Sequence, residues 1–109
     1  MARVLRIATE FSEMPGPRYK VEGDFSGELF RENHLEPLYL KCKEQGDTLL
    51  VDLDNTEGYA TSFIEESFGG LKRRYPNDNV LDVISIKCDD EPFLKDEVSK
   101  CVEEALDPR

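Results

Sequence analysis

The sequence predicts an α/β domain: a small mixed β-sheet of about four strands covered by helices, in the order β-β-α-β-α-β-α. Three observations carry that expectation. Thr48-Leu49-Leu50-Val51-Asp52-Leu53 is a near-continuous apolar run of the kind found in buried parallel strands. On either side of it, apolar residues recur at spacings of three and four, the mark of helices that turn one face inward. No low-complexity linker or internal repeat divides the 109 residues, so one domain spanning residues 1–109 is expected.

Taken in order, Arg3 to Thr9 alternates as a strand, with Val4, Arg6 and Ala8 opposite Leu5, Ile7 and Thr9. Met14-Pro15-Gly16-Pro17 is a turn, and Arg18 to Val21 reads as a second strand, hairpin-paired with the first. Ser26 is a suitable N-cap for a helix entering Gly27-Glu28-Leu29-Phe30, and Leu35, Leu38, Tyr39 and Cys42 continue its apolar stripe. Pro37 lies inside that stripe and should kink or split the helix near His34 or Leu35, because it lacks a backbone N–H. Gly46 ends this segment. After the strand at 48–53, the loop from Asp54 to Thr61 leads into a helix from Phe63 to about Tyr75, with Ile64, Phe68, Leu71 and Tyr75 on one face. Glu65 and Glu66 near its start and Lys72, Arg73 and Arg74 at its end suit the helix dipole. Val80 to Ile86 is the fourth strand. Asp89-Asp90 with Pro92 opens a last helix carrying Leu94, Val98, Cys101, Val102 and Ala105 inward.

Charge excludes several function classes. Fourteen Lys and Arg against 24 Asp and Glu give a formal charge of −10, which opposes nucleic acid and anionic membranes and favours basic or neutral partners. No apolar run approaches the ~20 residues that span a bilayer. The N-terminal residues interleave Arg3 and Arg6 with apolar groups and lack the uninterrupted core of a signal peptide. Cys42, Cys88 and Cys101 form an odd set without CxxC spacing, as expected of reduced thiols in a cytoplasmic protein. With His34 they offer no zinc-ligand pattern, and no metal or cofactor is expected.

The most informative stretch runs from Asp52 to Leu71. Asp52-Leu53-Asp54-Asn55-Thr56 resembles the first motif of haloacid-dehalogenase-type phosphatases. That likeness would make Asp52 a nucleophile, Asp54 a general acid and Thr56 a supporting residue in Mg²⁺-dependent chemistry. Such motifs normally open a larger sheet, whereas 47 residues precede the strand here and only one further strand follows it. A chance match is therefore expected, and the protein is expected not to be an enzyme. Ser62-Phe63-Ile64-Glu65 fits a capping box, with Ser62 and Glu65 bonding each other's backbone N–H. Gly69-Gly70 within a helix costs about 1 kcal/mol per Gly relative to Ala, so close packing against a neighbour is the expected compensation. Arg18 could form a structural salt bridge, or reach an anionic ligand or the carboxylates of Asp52 and Asp54. Tyr59 could stack on a ligand or anchor its loop.

The runs GPRYKVEGDFSGELF and DLDNTEGYATSFIEESFGGLKRR resemble the STAS-like family of unknown function, over roughly residues 3–106. SFIEESFGGL is the most specific part. The resemblance implies a small prokaryotic or phage α/β domain distantly related to anti-sigma factor antagonists. In those proteins a serine at a helix N-terminus is phosphorylated by a kinase-like ATPase partner, and Ser62 stands at the corresponding place. Phosphate at a helix N-terminus meets free N–H groups and the positive dipole end. Here Ala60-Thr61 replaces the usual Asp, Phe63 replaces a small residue, and Glu65 and Glu66 would oppose the added charge. The expected function is a regulatory protein–protein interaction. Its candidate contact surface comprises Asp52, Asp54, Glu57, Tyr59, Thr61, Ser62 and Glu66, with Arg18 from the turn. Small-molecule or nucleotide sensing by the same loop is the alternative.

Overall fold

Three parallel strands form the sheet of this computed structural model, which describes residues 2–108: β1 (Ala2–Arg6), β2 (Thr48–Asp52) and β3 (Ile84–Lys87), in the order β1-β2-β3. Leu5 pairs with Val51 and Val51 with Ile86, so one inward row runs straight across the sheet. The next row brings Arg6, Asp52 and Lys87 together at the C-terminal ends of all three strands. Leu5, Leu49, Val51, Ile84 and Ile86 are buried on one face, whereas Val4 on the other is 39% exposed.

The expected hairpin is absent, which leaves the described strands all parallel. Arg18 to Val21 is not a strand; Lys20–Glu22 is a single 3-10 turn, and Val21 is 92% exposed. Val21 points to solvent and has no sheet face to bury, so strand-like composition alone does not form a ladder here. The segment is instead tied down locally, by Gly16 N–H to the Phe25 carbonyl (2.8 Å) and Gly27 N–H to the Pro17 carbonyl (2.9 Å). Strand β1 is also shorter than expected. Ile7–Glu10 forms a helical turn, because the Glu10 carboxylate takes the Arg6 N–H at 2.7 Å and ends the ladder. Likewise Val80–Val83 is a helical turn, and only Ile84–Lys87 is strand.

Helix α1 covers residues 27–45. Ser26 caps it as expected, its hydroxyl accepting the Leu29 N–H at 3.0 Å. Pro37 does not break it. The preceding turn, Arg31–Leu35, widens to a π-helical turn in which the Glu36 N–H reaches the Arg31 carbonyl, so the missing proline donor is absorbed by a change of register. Gly46 ends the helix in the left-handed region at φ 70°. Helix α2 covers residues 61–74 and also contains a π turn, Glu65–Gly69. Helix α3 (Phe93–Glu104) buries Leu94, Val98 and Val102. Between α1 and α2 the rings of Phe11, Phe30 and Phe63 form a cluster with centroids 5.3–6.2 Å apart, and His34 packs on Phe11 and Phe30.

Candidate functional site

The loop leaving β2 stands at the C-terminal edge of the parallel sheet, the place where open α/β sheets gather their functional loops. Two carboxylates shape it. Asp52 Oδ1 accepts the Asp54 N–H at 2.9 Å, a local turn that fixes the strand exit. Asp54, only 6% exposed, is held by three donors: the Lys87 ammonium at 2.6 Å and the backbone N–H groups of Asp89 at 2.7 Å and Asp90 at 2.9 Å. Burial by itself would raise the Asp54 carboxyl, but donation from Asp90, Lys87 and Asp89 outweighs it and holds the group below the usual carboxylate range. The bond to Asp54, helped by Asp89, raises the Lys87 ammonium. Asn55, at φ 69°, gives its N–H to Asp90 at 2.9 Å. Asp54 thus clasps the β2 and β3 exits together, and its oxygens are already engaged.

The far end of the loop is pinned by Tyr59. Its hydroxyl donates to the Leu53 carbonyl at 2.9 Å and its ring packs on Phe63 at 5.7 Å, so of its two expected roles the structure gives it the anchor. Burial raises its phenol. Glu57 is exposed, and its N–H bonds the Glu13 carbonyl at 2.8 Å, tying the loop to the Pro-rich segment.

The capping box at the head of α2 is not formed. The helix begins at Thr61, one residue before the expected cap, so Ala60 is the N-cap and supplies no side-chain acceptor. Ser62 is therefore inside the first turn and half-buried, while Thr61 is exposed. The N–H groups of Thr61 and Ser62 find no acceptor among the described residues. Glu65 turns away from them to Arg18 and Arg73.

Those contacts belong to a ladder of alternating charge. Arg73 grips Glu65 with both nitrogens, at 2.6 and 3.0 Å, and Arg18 meets Glu65 at 2.5 Å and Glu66 at 3.7 Å. Glu66 continues to Arg31 at 3.1 Å, Arg31 to Glu36 at 3.5 Å, and Glu36 to Arg74 at 2.9 Å. Arg18 is thus a structural salt bridge to α2 and makes no ion pair with Asp52 or Asp54 among the described residues. Glu66, expected at the contact surface, is buried inside the ladder.

The glycines and the π turns make this ladder possible. A Cβ on Gly69 would overlap the Glu65 carboxylate and lie 3.3 Å from the Cys101 carbonyl, and one on Gly70 would come within 2.8 Å of Arg31 Nε. Glu65 and Arg73 are eight residues apart, which in a plain α-helix separates them by about 80° around the axis. One residue absorbed by the π turn cuts that to about 20° and brings them onto one face. The other π turn does the same for Arg31 and Glu36. Sequence reasoning missed Arg31, Glu36 and Arg73. Acids at 65 and 66 each followed four residues later by Gly were the available signal.

Beside Thr61 and Arg18, a cleft of about 780 Å³ opens between α2 and α3. No group of three or more His, Cys, Asp or Glu among the described residues is placed to hold a metal ion.

A three-stranded parallel sheet, helices on its buried face, and a clasped loop leading into an uncapped helix define a small α/β domain. The chain belongs to the family described as STAS-like domain of unknown function (DUF4325), whose model matches residues 26–92. That span holds α1, β2, the loop, α2 and β3. Searches among curated proteins and among solved structures found no match.

Proposed function

We propose that the domain is a non-enzymatic regulatory module of a prokaryotic cytoplasm, which binds a kinase-like ATPase through residues 54–62 and the first turn of α2 and is switched by phosphorylation at Ser62. One observation carries the reading: the head of α2 has free N–H groups at Thr61 and Ser62 and no capping side chain, on a loop held at both ends by Asp54 and Tyr59. A phosphate there would meet the positive end of the helix. The opposition expected from Glu65 is offset, because Arg18 and Arg73 already pair with it. Free thiols at Cys42, Cys88 and Cys101 support a reducing compartment. Among the described residues, no helix is long and apolar enough to cross a membrane.

Engagement of Asp54 by three donors supports binding rather than turnover, since a general acid needs a proton and a free approach. Use of Tyr59 as an anchor removes the aromatic platform that nucleotide sensing by this loop would need. Co-purification with an ATP-binding kinase-like protein from the native host tests the proposal. Ser62→Glu should lose that complex while melting near wild type, and unchanged binding by Ser62→Glu ends the switch. Incubation with p-nitrophenyl phosphate and Mg²⁺ should give no turnover; turnover abolished by Asp52→Asn would restore the phosphatase reading.

A further inference from the structure

The cleft between α2 and α3 has a charge pattern that the ladder does not use. Asp96, Glu97, Glu104 and Asp107 line it along α3 and just beyond, against Arg18 and Lys100. None of those four carboxylates forms an ion pair or side-chain hydrogen bond with any described residue. Arg18 is already committed to Glu65 and Glu66. The balance of free charge in the cleft is negative. Burial, then Glu65, Glu97 and Glu104, push the Cys101 thiol up to about 11, against the opposing pull of Arg18.

We infer that this cleft is a docking groove for a basic, amphipathic segment of a protein partner. Its shape and charge select that occupant. About 780 Å³ is the size of a binding cleft, and Asp96 and Glu104 are separated by about 12 Å along α3, too far to share one small ion. No carboxylate cluster in the described residues can hold a metal. Successive Lys or Arg side chains of a peptide match that spread, and its apolar side chains meet Cys101 and Pro108 in the groove. Negative charge also excludes acidic peptides and nucleic acid from the same surface. The inference rests on the reading of the domain as a protein-binding module, and it adds the chemistry of the partner. Thr61 lines the groove and opens α2, so the groove is continuous with the displayed loop.

The test titrates the isotope-labelled chain with a short amphipathic Lys/Leu peptide at low salt, following backbone amide shifts. The largest shifts should fall on Thr61, Asp96, Glu97, Cys101 and Glu104. By fluorescence anisotropy, the triple variant Asp96→Asn, Glu97→Gln, Glu104→Gln should weaken the peptide about tenfold, and the charge-matched Asp24→Asn, Glu44→Gln, Asp82→Asn about twofold at most. The three groove substitutions break no side-chain hydrogen bond with a described residue, so folding should survive them. Absent binding, equal weakening by the two triples, or shifts centred on residues 89–91 would overturn the groove. Peptide binding by Ser62→Glu should equal wild type. That separates failure of the groove from failure of the loop, which the ATPase complex reads.

Discussion

Removing the Asp54 carboxylate should open the C-terminal edge of the sheet. Asp54→Ala strips one acceptor from the Lys87 ammonium and from two backbone N–H groups, at 2.6, 2.7 and 2.9 Å. A hydrogen bond to a charged group contributes about 1.5–3 kcal/mol. Asp89 and Asp90 lie on an exposed loop and Lys87 is itself 43% exposed, so water replaces much of what is lost. The expected cost is about 2–4 kcal/mol, or a fall of roughly 8–16 °C in Tm for a chain of this size. Asp54→Asn keeps an oxygen for the two loop N–H groups but turns an amide NH2 toward the Lys87 ammonium, losing that bond with the charge, and should cost about 1.5 kcal/mol.

The pH dependence has a definite sign. The folded Asp54 carboxyl lies below its unfolded value, so its contribution is complete above the unfolded value near pH 4 and is lost as pH falls through the folded one. Urea unfolding followed by circular dichroism should therefore separate wild type from Asp54→Asn at about pH 7 and bring them together near pH 2. The clasp is refuted if Asp54→Ala costs less than about 0.5 kcal/mol at neutral pH, the ordinary spread of surface substitutions.

Three further outcomes follow from the geometry of the helices. Ser26→Ala should cost about 1 kcal/mol in chemical unfolding, and Ser62→Ala less than about 0.5 kcal/mol; a larger cost at Ser62 would reinstate the capping box. Gly70→Ala gains about 1 kcal/mol of helix propensity but crowds Arg31 Nε, so it should be net destabilising in wild type and stabilising when Arg31 is Ala. A double-mutant cycle by urea unfolding reads that coupling, and a stabilising Gly70→Ala in wild type removes it. The rate at which a disulfide reagent modifies Cys101 should keep rising with pH toward about 11, because burial first and the nearby carboxylates second disfavour its thiolate; a plateau near the usual thiol value of about 8.5 would refute both.

Strand β2, helix α3, the Ser26 cap and the inward faces of all three helices were legible because burial there follows a simple period of two or 3.6. The lost hairpin was not, because Arg18-Tyr19-Lys20-Val21 has strand-like composition without a buried face, and pairing is a tertiary choice. Pro37 correctly marked an irregular helix, but its consequence was a π turn and not a break. The loop carrying Asp52, Asp54, Tyr59, Thr61 and Ser62 was found by sequence, and the roles within it were not. Asp54 and Tyr59 point inward, and a helix start two residues earlier than expected moved Ser62 off the cap. Glu65 and Arg73 meet only because a π turn rotates them together, which a plain helical period hides.

That last point separates two jobs within SFIEESFGGL. Phe63, Ile64 and Phe68 fill the core, Ser67 donates to the Gly27 carbonyl at 3.4 Å, and Glu65 and Glu66 are bound into the ladder across Gly69 and Gly70. Nearly every residue of the motif is thereby explained by how α2 packs on α1 and α3. A motif spent on packing fixes the position of its own first turn, and what that turn presents is Thr61, Ser62 and their free N–H groups. The uncapped helix and the acid-lined groove then share Thr61. A partner with a basic segment would meet the groove first and the loop next. Phosphate on Ser62 would alter the loop surface, whereas the groove, whose lining does not include Ser62, keeps its hold on the basic segment. Affinity for the basic peptide should therefore fall with salt to the same degree in wild type and in Ser62→Glu, while only the variant loses the ATPase complex.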